Sequence, residues 1–154
     1  MTTIILTIIG ILLAAAAALM VIFYGGDAFN AGSIGAQANT FQNAGTNVIS
    51  AVQLAKADAY AYTDLASLSN PADEDRDYLR EVVSLPNGSV GVLTGDVYTA
   101  VVAGDQAAEV CARINKNLKL TDTDGELTDT VVDADQGKYK MGCINGTTTF
   151  FANA

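Results

Sequence analysis

Two cysteines, a cluster of acids and two Asn-Gly steps are the residues whose types and spacing could do chemistry here, and no histidine accompanies them. Without histidine the commonest general base and the commonest metal ligand are missing, and two cysteines alone cannot complete a Cys/His zinc site. The acids Asp122, Asp124, Glu126 and Asp129 carry the alternating oxygens of half a calcium loop. Setting Gly125 at the loop glycine puts Leu120 at the first ligand position and Val131 at the last, which excludes a full EF-hand. What remains is a looser calcium site on those four acids, and a solvated acidic turn is the simpler reading. No phosphate-cradling glycine loop, nucleophile elbow or spaced carboxylate pair stands out. The sequence therefore reads as a non-enzyme, with no catalytic residue and no cofactor.

Cys111 falls in a helical pattern and Cys143 in a strand pattern. As free thiols they would be ordinary buried residues, whereas two cysteines in an exported acidic domain more often pair. A bridge would close a loop of about 33 residues, stabilise by about 4 kcal/mol on the chain-entropy estimate, and staple the Asp/Thr-rich stretch Leu118–Tyr139 onto the fold as a solvated surface. Asn87-Gly88-Ser89 and Asn145-Gly146-Thr147 both fit the glycosylation sequon. Both also fit turns, the commoner reason for an Asn-Gly pair.

The elements that must position these residues begin with the overall balance. The chain has 154 residues, 50% of them hydrophobic and 16% charged, with seventeen acids, eight bases and a net charge of −9. That length suits one compact domain with at most an appendage. The negative balance argues against nucleic acid or an anionic membrane surface as a partner, so no direct nucleic-acid binding is expected.

The apolar residues are piled at one end. Residues 1–24 hold no charge, and the first charged side chain is Asp27. As a helix this segment would be roughly 36 Å long, enough to cross a bilayer. A cleavable signal would need a positive n-region, and a plain anchor would usually carry basic flanking residues, yet no lysine or arginine precedes Lys56. A basic leader removed ahead of Met1 accounts for both observations, and the segment is expected to be retained as a helix.

Beyond Gly25 and Gly26, apolar residues recur seven apart at Ile34, Phe41, Val48, Ala55 and Tyr62, with a second row at Ala38, Gly45, Val52, Ala59 and Ala66. This predicts an amphipathic continuation over 25–70, ended by Asn70 and Pro71. Gly25, Gly26, Gly32 and Gly35 each cost about 1 kcal/mol against alanine, so an irregular section is expected between Leu19 and Gly35.

Residues 71–154 then read as an α+β head. An acidic run to Asp77 leads to a strand or helical turn over Tyr78–Leu85 and a turn at Pro86-Asn87-Gly88. Ser89–Leu93 and Val97–Ala103 predict a hairpin, followed by a helix capped by Asp105 with apolar positions Ala107, Val110, Cys111, Ile114 and Leu118. Thr130–Val132 is a brief strand candidate, and Lys138–Ile144 and Thr147–Phe151 predict a second hairpin around Asn145-Gly146. The expected class is α+β, with an antiparallel sheet packed on the C-terminal half of the long helix.

An uncharged N-terminal helix with an amphipathic continuation, a hairpin, Cys111 on a late helix and Cys143 before a final strand together resemble a type IV pilin. The helix residues Ala107 to Cys111 and the tail Gly142 to Ala154 resemble the type IVb subclass. The resemblance spans the chain as an architecture, although no single motif is long. It implies a major structural subunit whose leader is removed by a prepilin peptidase and whose new N-terminus, Met1, is methylated. It also implies an inner-membrane stage, a pilus assembly machinery as partner, and a homopolymeric surface filament serving functions such as cell adhesion. The N-terminal helices would bundle inside, with Met1, Ile5, Gly10, Ala14, Ala15 and Ala18 at the assembly contacts and the bridged region 111–143 outside. Most members carry glutamate at the fifth position, where this chain has Ile5. A minor, tip-located pseudopilin-like subunit is therefore an alternative, as is a monomeric membrane-anchored extracytoplasmic binding domain.

Overall fold

The structure is a computed structural model that describes residues 2–69, 77–80, 84–121, 128, 130–131 and 137–154, with the side chains of 2–4, 23–25 and 27 outside that set. Helix α1 spans Thr2–Ala57, α2 Leu65–Ser69 and α3 Ala107–Asn117; the strands are β1 Gly91–Thr94, β2 Val97–Val101, β3 Met141–Ile144 and β4 Thr149–Asn153. The strands form one antiparallel sheet in the order β1-β2-β4-β3. The chain divides into two compact units, Met1–Ser33 and Ile34–Ala154.

The first unit is helical throughout its described residues. Helical structure runs without a break across Gly25, Gly26, Gly32 and Gly35, so the irregular section expected between Leu19 and Gly35 does not form. Isolated glycines cost about 1 kcal/mol each, but propagating a helix already nucleated on both sides adds one hydrogen bond per residue, and that term wins here.

In the second unit the predicted rows reach the core as far as Ala55, with Ala44 and Ala51 beside them, whereas Ala59 and Ala66 are exposed. Ala38, Phe41, Ala44, Val48, Ala51, Val52 and Ala55 are buried against the sheet. Phe41 meets Phe150 at a ring separation of 5.8 Å, and Tyr98 meets the same ring edge-on at 6.2 Å. Gly45 is the point of closest approach: a Cβ there would lie 2.7 Å from the Phe150 ring and 3.2 Å from Ala152. The period-2 alternation of β4 explains the layering. Phe150 and Ala152 face α1, while Phe151 faces a second cluster with Leu120, Val131 and Ile144.

Helix α1 stops at Ala57, short of the predicted Asn70. The Tyr60 N–H bonds the Ala55 carbonyl at 2.8 Å and the Ala59 N–H bonds the Lys56 carbonyl at 3.1 Å, with Ala59 at φ 54°. This is a Schellman ending with alanine in the left-handed position usually taken by glycine. The seven-residue spacing runs on to Tyr62 and Ala66 by sequence alone, since neither lies on α1. Helix α2 starts afresh on its own cap: Asp64 Oδ1 accepts from the Ser67 N–H at 2.8 Å, and Ser67 Oγ accepts from the Asp64 N–H at 3.2 Å.

The two hairpins meet expectation unequally. The first turns through Gly95 and Asp96, with Thr94 paired to Val97. The second pairs Ile144 with Thr149, so its turn holds four residues and β4 begins two positions later than predicted. Helix α3 begins after Gln106, which makes no side-chain cap bond, so Asp105 is not its cap. Over Tyr78–Leu85, the described residues 78–80 form a bend and no strand. The Thr130–Val132 candidate is reduced to one parallel bridge, Val131 with Ile144.

Candidate functional site

Among the described residues the largest unsatisfied feature is apolar. Ile5–Ile22 forms an uncharged helical window of which none is buried, by length and composition enough to cross a membrane. Ile5, Leu6, Ile8, Ile9, Ile11, Leu12, Leu13, Leu19, Met20, Val21 and Ile22 are all exposed, from 49% at Ile9 to 72% at Val21. Removing such side chains from water is favourable by about 1.5–3 kcal/mol each, so together they represent on the order of 10 kcal/mol or more of apolar transfer free energy. A contiguous patch of this size marks a surface made to be covered.

Of the residues assigned to assembly, Ile5, Gly10, Ala14, Ala15 and Ala18 all sit on this helix and are exposed. Gly10, Ala14 and Ala18 follow one another four apart and so lie along one slowly drifting row of the helix. Nothing lies within 4 Å of a Cβ built at Gly10. Met1, the assigned modification site, lies outside the described residues.

At the head, Cys111 and Cys143 form a disulfide with a Cα–Cα distance of 5.2 Å. It joins α3 to β3. The same two elements are joined again by Asn115, one turn beyond Cys111: its Oδ1 accepts from the Cys143 N–H and its Nδ2 donates to the Cys143 carbonyl, both at 2.8 Å. Asn115 Nδ2 also donates to Asn145 Oδ1 at 3.0 Å, and that oxygen accepts from the Val131 N–H at 2.9 Å. The bridged stretch is thus not solvated along its whole length, as its acids suggested. Leu120 and Val131 are buried and Leu118 and Tyr139 pack beside them, because the outer face of β3 and β4 presents Ile144 and Phe151 for cover.

The calcium candidates Asp122, Asp124, Glu126 and Asp129 lie outside the described residues. Among the described residues no three potential metal-ligating side chains cluster.

The one ion pair among the described residues joins Lys56 Nζ to Asp96 Oδ2 at 2.8 Å, at the surface, while the Tyr62 hydroxyl donates to Asp96 Oδ1 at 2.6 Å. The Lys56 and Tyr62 hydrogen bonds hold the Asp96 carboxyl below its usual range. Desolvation, then the neighbouring carboxylate, pushes the Tyr62 phenol up to about 12. This arrangement ties the end of α1 to the β1–β2 turn and offers no acid–base pair poised near neutral pH.

Sequence reasoning missed Asn115 and the second role of Asn145. The signal for Asn115 was a polar residue four positions after Cys111, on the apolar face of α3 beside Ile114. Comparisons with family models, curated proteins and solved structures find no match to this chain.

Proposed function

We propose that this chain is a structural subunit of a type IV pilus-like surface filament. The N-terminal helix holds the subunit in the inner membrane before assembly and packs against copies of itself afterwards. The observation that carries this reading is the uncharged, wholly unburied Ile5–Ile22 window on the same helix whose later residues form the core of the head. A helix apolar on all sides needs cover on all sides, which a bilayer and a bundle of like helices both supply. Gly10, Ala14 and Ala18 permit close approach between such helices. A head-to-tail contact between copies is heterologous and extends without limit when its rotation does not close. On this reading a prepilin peptidase and the pilus assembly machinery are the partners, Met1 carries the methyl group, and Cys111–Cys143 stiffens the exposed head.

A monomeric membrane-anchored extracytoplasmic binding domain shares the apolar helix, because eighteen residues of helix span about 27 Å of bilayer. Ile5 in place of the acid usual at that position also suits a minor, tip-located subunit.

Negative-stain microscopy of sheared surface material, from cells with and without this chain, separates the readings. Filaments that vanish with the chain, and contain it along their length, are the expected result. Filaments that persist without it, or carry it only at the tip, overturn the major-subunit reading.

A further inference from the structure

Two asparagines stand in an Asn-Gly-Ser/Thr frame, and their amides are held in opposite ways. Asn87 Nδ2 donates to Gln37 Oε1 and to the Ala103 carbonyl, each at 3.0 Å. A carbonyl oxygen only accepts, so the orientation of this amide is fixed and both Nδ2 hydrogens are engaged. Asn145 is turned the other way. Its Oδ1 accepts from the Val131 N–H and from Asn115 Nδ2. A backbone N–H only donates, so the oxygen must face it and Nδ2 must point away. Asn115 in turn is fixed by the N–H and carbonyl of Cys143. Among the described residues Asn145 Nδ2 donates to nothing, and no buried side-chain nitrogen or oxygen among them lacks a partner, so this nitrogen reaches solvent. Gly146 and Thr147, which complete the frame, are exposed in the turn between β3 and β4.

We propose that Asn145 is an acceptor for an N-linked glycan and that Asn87 is not. In the transfer, Nδ2 of Asn145 forms a bond to the anomeric carbon of a polyprenyl-phosphate-linked sugar. The bond from that carbon to the phosphate oxygen breaks, the lipid phosphate leaves with the electron pair, and one Nδ2 proton passes to solvent. The step is redox-neutral. The product keeps the Asn145 carbonyl oxygen, so the bonds to Val131 and Asn115 survive. The same reaction at Asn87 removes a hydrogen that the structure uses. The inference requires only that the head lie outside the cytoplasm, and it holds for a filament subunit and for an anchored monomer alike.

Peptide mass mapping of the protein isolated from its own cells tests it. The expected result is a glycan mass on the peptide containing Asn145 and none on the peptide containing Asn87. Thr147→Ala breaks the frame but leaves the Asn145 amide and both its donors intact, since Thr147 contributes only a backbone carbonyl, to Thr149 Oγ1. That variant is expected to lose the added mass completely while keeping the disulfide. An unmodified Asn145 peptide, a gain of only ~1 Da from hydrolysis of the Asn145 amide, a glycan on Asn87, or a glycan that persists in Thr147→Ala each overturns the proposal.

Discussion

Asn115 holds Cys143 by both of its backbone hydrogen-bonding groups, at 2.8 Å each, and does so from inside the core, where it is fully buried. Strand β3 is an edge of the sheet, and Cys143 would otherwise point an N–H and a carbonyl away from β4 with nothing to meet them. The side-chain amide is a substitute for a fifth strand. Asn115→Ala should therefore cost about 2–6 kcal/mol, because two buried backbone groups lose their partners at about 1–3 kcal/mol each. Denaturant unfolding of the full chain in detergent, followed by near-ultraviolet circular dichroism, measures it; a loss under 1 kcal/mol would show that water replaces the amide without cost.

The disulfide acts on the same strand residue, so the two devices should couple. Replacing both Cys111 and Cys143 by alanine should cost about 4 kcal/mol, for a sequence separation of 32. The variant lacking the disulfide and Asn115 together should cost more than the sum of the separate effects, since each device limits the fraying that the other allows. Strict additivity would mean that β3 stays docked without either.

Helix α1 ends with Ala59 at φ 54°, a conformation that costs a non-glycine residue about 1–2 kcal/mol. Ala59→Gly should stabilise the head by roughly 0.5–1 kcal/mol, after part of the gain is offset by the greater freedom of glycine in the unfolded chain. Lys119, at φ 51°, terminates α3 in the same manner and should respond alike. A rise in thermal midpoint checks both.

How far the fold was legible depended on which interactions were local. The stripe from Ile34 to Ala55 follows from periodicity, and its burial needs only the helix. Its end does not, because alanine at 59 gives no stop signal, and the Schellman bonds that make it stop are read only from coordinates. The start of β4 was misplaced for a similar reason. Asn145-Gly146 suggests a two-residue turn, but Asn145 is committed to Val131 and Asn115, fourteen and thirty residues away, and the loop widens to allow it. The apolar helix was plain from composition, as were the small residues on it. The calcium candidates fall on residues the structure does not describe.

Burial alone pushes the Tyr98 phenol up to about 12. A phenol whose folded value lies above its unfolded value of about 10 contributes stability that is complete below pH 10 and is lost as pH rises toward 12, because the unfolded chain releases its proton first. For a shift of this size the loss is about 3 kcal/mol. The head should accordingly lose stability in alkali between pH 10 and 12. Tyr98→Phe should flatten that slope, measured as stability against pH relative to its own value at pH 8. An unchanged slope would place the alkaline loss elsewhere, with Tyr62 the next phenol to test.

Glycines and small residues on α1 should separate folding from assembly. At Gly45 a side chain meets the Phe150 ring at 2.7 Å, in the centre of the core, so Gly45→Val should destabilise the head by roughly 2 kcal/mol or more through overpacking. At Gly10 the space is open, and Gly10→Ala should leave the head unchanged or gain about 1 kcal/mol of helix propensity. Ala15→Asp places a charge on an exposed apolar helix where the single chain has nothing to disturb, yet any apolar covering would have to desolvate it. On the proposed filament reading, its expected phenotype is a head with wild-type stability and no filaments, the reverse of a variant that fails because it does not fold. Circular dichroism in detergent beside microscopy of surface material reads both quantities from the same preparation. Normal filaments from Ala15→Asp would count against the proposed packing of this helix between copies.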